Sequence, residues 1–146
     1  MALTVGIAGI TTKFVPLLPD HLRGSPHITI VEGEASDLQT IRSFTHGCDV
    51  IICCYLNDTL IVEGQKTLLD ARELEHVRRY IASDYCLDFT KLELVRHPAK
   101  DPMKHVKAYL NTKVNVQRIH ILVGASVFIR KFSVQGEYKE MDTENP

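Results

Sequence analysis

An excess of charge of either sign is missing from this chain. Seventeen Lys and Arg stand against 18 Asp and Glu, a formal net charge of −1. Electrostatics therefore supplies no reason to expect nucleic acid or an anionic membrane as partner. Long apolar runs are missing too, and no stretch approaches the ~20 residues that a bilayer-spanning helix needs. Cys48, Cys53, Cys54 and Cys86 show neither a C-x-x-C spacing nor a Cys/His ladder. That removes the signature of a metal ribbon or dithiol centre, and leaves thiols that act as small buried hydrophobes. No metal site is expected. Repeats, low-complexity stretches and dividing linkers are also absent. Met1–Gly6 has no basic region ahead of its strand pattern, so a signal peptide is not expected. What remains is a 146-residue chain, 45% hydrophobic and 24% charged. Those are the values of one globular domain, expected in the cytoplasm.

Short apolar runs alternate with segments of helical spacing. Thr4–Ala8 reads as a buried strand ended by Gly9. Residues 13–22 have helical spacing with Pro16 and Pro19 inside it, which predicts a short or kinked helix. His27–Val31 is β-branched and predicts a second strand. Ser36 or Asp37 caps a helix with Leu38, Ile41 and Phe44 on one face, stopping at Gly47. Asp49–Cys54 is a strand apolar on both faces. Asp58 or Thr59 opens a helix to about Glu75, with Leu60, Leu68, Leu69 and Leu74 as core positions. Arg79–Ser83 is a strand, Asp101-Pro102 opens a helix to about Asn115, and Ile119–Val123 is a fifth strand. Such alternation predicts an α/β, Rossmann-like three-layer sandwich around a mostly parallel sheet of about five strands. The domain is expected to occupy 1–129, and the polar segment 130–146 to be a fraying tail.

Chemistry is concentrated at the first strand-to-helix junction. Gly6 and Gly9 have the G-x-x-G spacing of a dinucleotide-binding turn, in which glycines allow the tight turn and the close approach of backbone to a pyrophosphate. Thr12 occupies the third glycine position. Gly6-Ile-Ala-Gly9-Ile-Thr, Asp49–Leu56, Val62–Ala71, Arg79–Tyr85 and His120–Gly124 follow one another in order. Together they resemble the N-terminal half of the NmrA-like family of fungi, atypical short-chain dehydrogenases similar to isoflavone reductases. The resemblance runs from about residue 3 to 125. It implies a Rossmann fold, an NADP or NAD site at the glycine turn, and either reductase chemistry or nucleotide sensing. Against the family pattern one β-α unit is missing before Asp37, together with its NADP-selecting basic residue. The family's substrate-binding half has no counterpart after Ala125.

The cofactor-binding candidates are Gly6, Gly9, Ile10, Thr11, Thr12, Asp37, Cys54 and Tyr55. Cys54 and Tyr55 end the central strand beside the expected nicotinamide crevice. By spacing alone, Glu32 is the acid that would hold a ribose hydroxyl, which would mean NAD. By family position Asp37 would lie near the adenine instead, and both are equally readable as loop acids or caps. Lys104 is the candidate catalytic residue, since isoflavone reductase relatives carry a catalytic Lys on the corresponding helix; Lys107 competes with it. Tyr109 and Lys113 match the Tyr-x-x-x-Lys dyad of short-chain dehydrogenases, with Ser83 as a third member. At 1.5 Å per residue, however, they lie ~10 and ~16 Å into their helix, away from the strand ends where cofactors sit. His97, His105 and His120 have no metal spacing, and Asp84–Asp88 would line the crevice. The expected partners are a dinucleotide, an unidentified small-molecule substrate and a second copy of the chain in a homo-oligomer. The expected function is that of an NAD(P)-dependent reductase, the alternative being a non-catalytic sensing or interaction module, or a shortened remnant of such an enzyme.

Overall fold

In the computed structural model, which describes residues 2–9, 25–56 and 59–122, four short strands form one parallel sheet. They are β1 (Val5–Ala8), β2 (Val50–Cys53), β3 (Arg79–Ile81) and β4 (Gln117–Ile119), in the order β1-β2-β3-β4. Gly6 lies opposite Ile51, Ile51 opposite Tyr80, and Tyr80 opposite Arg118. Among the described residues three helices connect them: α1 (Leu38–Thr45), α2 (Gln65–Leu74) and α3 (Asp101–Asn111). A π-helical turn, Leu60–Gly64, leads into α2, and a 3-10 turn, Pro98–Lys100, leads into α3.

Each crossover steps the same way across the sheet, and right-handed crossovers in such an order put all their helices on one face. Packing agrees, since α1 lies against α2 and α2 against α3. Strand residues alternate accordingly. Gly6, Ala8, Ile51, Cys53 and Tyr80 are buried, while Val5 and Ile7 on the other face stay exposed. The described residues thus make two layers where three were expected, and the expected helix over 13–22 lies outside them. Leu68, Leu69 and Ala71 of α2, with Val106 and Leu110 of α3, fill the space between helices and sheet.

Several expectations are corrected. The described sheet has four strands, in keeping with the expected sheet of about five, but the expected strand His27–Val31 forms no ladder among the described residues. Ile28, Ile30 and Val31 are exposed, and β-branched residues favour a strand only where a pleated, half-buried surface receives them. The last strand begins two residues earlier than expected, and only a single parallel bridge, Cys86 with Leu122, continues its direction. Leu38 and Leu74 are exposed, since they are the first residue of α1 and the last of α2. Of the four free cysteines only Cys53 is buried, and burial pushes its thiol up to about 12.

Local chemistry explains the helix ends. Asp37 caps α1, accepting from the Gln39 amide at 3.0 Å and the Thr40 hydroxyl at 2.6 Å. At the end of α2, His76 N–H donates to Glu73 O and Val77 N–H to Arg72 O, a Schellman closure with His76 in the left-handed position at φ 59°. Glu75 ties the two helices together, accepting from Arg42 Nε (2.9 Å) and Nη2 (2.8 Å), with His46 Nδ1 2.8 Å away.

A Cβ on Gly6 would meet Cys48 Sγ and Phe44 Cζ at 3.0 Å, so α1 rests directly on the β1 backbone. Gly6→Val is expected to destabilise the fold by about 1–3 kcal/mol through overpacking, measured by urea unfolding. The hydrogen bonds from His46 and Arg42 hold the Glu75 carboxyl below its ordinary value of 4.5. A lowered folded value stabilises the protein above pH 4.5, and that contribution is lost as pH falls through 4.5 towards the folded value. Thermal midpoints taken across that range should fall less steeply in Glu75→Gln than in the wild type.

Candidate functional site

In a parallel α/β sheet, ligands bind beyond the carboxyl ends of the strands. Here β1 leaves the sheet at Gly9 and β2 at Cys54, with the Cys54 amide still donating to Ala8 O at 2.8 Å. Gly9 has φ +90°, a conformation that L side chains rarely adopt. A Cβ there would lie 2.6 Å from Tyr55 Cδ1 and 2.8 Å from the Cys54 carbonyl carbon. No side chain fits. The Tyr55 ring is buried against this glycine and, on another side, against Gly64, where a Cβ would lie 3.0 Å from Cε2. Burial pushes the Tyr55 phenol well above its ordinary value, so the ring works as a wedge and not as an acid.

A buried polar network fixes the wedge. Ser83 Oγ donates to the Tyr55 carbonyl at 2.8 Å. Gln65 Oε1 accepts from Tyr80 Oη (2.7 Å) and Ser83 N (3.3 Å), while Gln65 Nε2 donates to Ile61 O (3.0 Å). The π-turn places Gln65 there, its amide closing the wider turn back to Leu60 O. π-Turns recur at functional sites, and this one aims a glycine and a glutamine at the β2 exit. Beyond β3 the carboxylate of Asp84, 1% exposed, is bonded through Oδ2 to His120 Nδ1. Among the described residues Asp84 Oδ1 and His120 Nε2 have no partner, and the Phe89 ring stands edge-on to the imidazole, centroids 6.3 Å apart.

The sequence candidates separate into groups. Gly9, Cys54 and Tyr55 come together at the β1 and β2 exits. Gly6 lies inside β1 as a packing residue, and Ile10, Thr11 and Thr12 lie outside the described residues. Asp37 is exposed and occupied as the α1 cap; its neighbours Thr40 and Gln39 hold its carboxyl below the usual range. Glu32 is exposed. Lys104 Nζ donates to Glu93 O at 2.5 Å and to Asp101 Oδ1 at 2.8 Å, with its side chain only 10% exposed. It clamps the start of α3 to the preceding loop, and with Lys107 it lines a cleft of about 300 Å³ that contains none of the cofactor candidates. Among the described residues, no group of three or more His, Cys, Asp or Glu could hold a metal ion.

Tyr109 and Lys113 are together, but at the α2–α3 contact. Tyr109 Oη donates to Asp70 Oδ1 at 2.6 Å, and Lys113 Nζ to Asp70 (2.6 Å) and Glu73 (3.0 Å). The Lys113 ammonium also lies 4.8 Å from the Tyr109 ring centroid. The Asp70 bond raises the Tyr109 phenol, the opposite of what a tyrosine acid needs. Sequence reasoning missed Gly64 and Gln65; it put Asp84 along the crevice but missed its pairing with His120. An isolated glycine inside a helical pattern was the available signal for the first, and nothing local marked the others.

A protein-family model described as NAD(P)H-binding matches residues 18–120. That span begins after Gly9, so the match is carried by the later strands and helices. Solved structures that are similar include two with a bound dinucleotide. One is AtPrR2 with NADP+ and (+)pinoresinol, at 18% identity and TM-score 0.60, covering 81% of this chain and 40% of that chain. The other is the Bordetella bronchiseptica enzyme WbmH in complex with NAD+, at 16% identity and TM-score 0.51, covering 81% and 46%. At such identities the likeness is one of fold, Rossmann-like α/β, and the chain spans less than half the length of either. Among curated proteins none matches.

Tyr109→Phe removes one donor from Asp70 and leaves Lys113 in place. It is expected to cost about 1 kcal/mol in urea unfolding, the net worth of a neutral hydrogen bond.

Proposed function

We propose, starting from a chain that belongs to the NAD(P)H-binding family, that this protein binds NADP or NAD across the exits of β1 and β2 as an oxidoreductase of the atypical short-chain dehydrogenase type. Gly9 carries the proposal. Its φ and the missing room for a Cβ are what a dinucleotide turn requires, and they occur at the strand ends where the fold receives ligands. The residues fit the group. Gly9 and the backbone of Cys54 and Tyr55 would border it, with Ile10, Thr11 and Thr12 proposed along the pyrophosphate and Asp37 towards the adenosine. A bound nicotinamide supplies hydride transfer. The chain's own part is to hold the crevice floor rigid, through the Ser83 bond to the Tyr55 carbonyl and the Gln65 network behind it. Lys104, in the first turn of α3, is the proposed proton donor to a small-molecule substrate, and it would first have to leave Glu93 O and Asp101.

That commitment of Lys104, with Tyr109 and Lys113 bound to α2 carboxylates, favours a second function, nucleotide sensing without turnover. Exposed Val5 and Ile7 on β1 would suit a homo-oligomer in either case. No helix among the described residues is long and apolar enough to cross a membrane, and a cytoplasmic site of action goes with the proposal. Residues 1–129 form the proposed binding domain and 130–146 its tail.

Calorimetric titration of the full chain with NADP+, NADPH, NAD+ and NADH tests the assignment. At least one should bind, Gly9→Ala should weaken it tenfold or more, about 1.4 kcal/mol, and Lys104→Met should leave it unchanged. Absence of binding at millimolar dinucleotide, or full affinity in Gly9→Ala, would overturn it.

A further inference from the structure

The opposite pole of the sheet, where strands begin, holds a second cavity of about 440 Å³. It is lined by Arg72, Glu73, His76, Arg78, Val114 and Asn115. Arg72 comes from the last turn of α2, His76 and Arg78 from the loop into β3, and Val114 and Asn115 from the loop between α3 and β4. None of these residues is shared with the Gly9 crevice, and the parallel strands separate the two.

Arg72 is 1% exposed, and one of its nitrogens is satisfied, Nη1 donating to Val77 O at 2.9 Å. Among the described residues Nε and Nη2 have no partner. Those two nitrogens form one edge of the guanidinium fork, the edge that meets a carboxylate or phosphate with two parallel bonds. A buried arginine with that edge unmet carries a desolvation cost that an oxyanion in the cavity would remove. The surroundings have the right sign. Arg78 and His76 face the same cavity, and among the described residues neither pairs with a carboxylate. The one acid in the lining, Glu73, shares Lys113 with Asp70, at 3.0 and 2.6 Å, so the lining sets two arginines against one carboxylate. His76 occupies the left-handed position of the α2 closure, where glycine is the usual residue, so the chain keeps a side chain there at some conformational cost.

We propose that this cavity is a second ligand site, for the carboxylate or phosphate group of a small anionic metabolite, with Arg72 in its wall and Arg78 and His76 as its rim. The site is separate from the dinucleotide crevice and stands whether or not that crevice binds.

Thermal shift and calorimetry on the full chain, at constant ionic strength, test it with inorganic phosphate and citrate against chloride. Phosphate or citrate should raise the wild-type midpoint in a saturable way; which of the two acts tells phosphoryl from carboxylate ligand, and either supports the site. Arg78→Gln should weaken the response tenfold or more while keeping the wild-type fold, and Arg72→Gln should abolish it. Should Arg72→Gln fail to fold, Arg78→Gln still decides. Gly9→Ala should retain the anion response in full, which separates this site from the crevice. Equal midpoints in phosphate, citrate and chloride would overturn the proposal. So would an unchanged response in Arg78→Gln, or a response abolished by saturating NADP+.

Discussion

The Tyr55 ring is the constraint on which the candidate crevice depends. It occupies space that exists only because neither Gly9 nor Gly64 has a Cβ. Its carbonyl is held by Ser83, and Ser83 is held by Gln65, which also takes the Tyr80 hydroxyl. The exit of β1, the exit of β2, the π-turn and β3 therefore move as one piece. Each neutral bond in such a network is worth about 1 kcal/mol net, but leaving a buried member unmet costs about 1–3 kcal/mol. A network with all members satisfied specifies one arrangement of the strand ends, and rigid strand ends are what a dinucleotide site requires.

Most remaining polar side chains work as clamps between elements. Arg42 and His46 of α1 and its cap meet Glu75 after α2, and Tyr109 and Lys113 meet Asp70 and Glu73 of α2. Lys104 pins the loop before α3 to its first turn. These pairs sit on the helical layer, where they set the spacing of α1, α2 and α3 over the sheet. Against that background the unmet groups stand out. Asp84 Oδ1 and His120 Nε2 lie beyond the strand ends, and Arg72 Nε and Nη2 lie where the strands begin. The two poles of one short sheet thus differ in charge, with a buried carboxylate–imidazole pair at one and a buried guanidinium at the other.

Much of the fold was readable from local pattern. Thr4–Ala8, Asp49–Cys54 and Arg79–Ser83 announce strands, and the helix positions follow from the cap at Asp37 and from Asp101-Pro102 in the first turn of α3. The failures share a cause. His27–Val31 has strand composition, yet among the described residues it pairs with no strand. Leu74 has the right period but is the last residue of α2 and stays exposed. The Tyr-x-x-x-Lys spacing at Tyr109 names a dyad, while its place on α3 turns it towards carboxylates of α2. In each case composition states what a segment can do, and the neighbour decides whether it does.

By itself the sequence determined the α/β class, the parallel alternation of strands and helices, and a glycine at the end of the first strand. These follow from periodicity and from conformational freedom, which are properties of a few consecutive residues. Only the tertiary structure decided that the three described helices share one face, that Gly64 and Gln65 belong to the crevice, and that Arg72 is buried with one edge unmet. Those depend on which residues distant in the chain come into contact, as Gly9 does with Tyr55 and Ser83 with Tyr55.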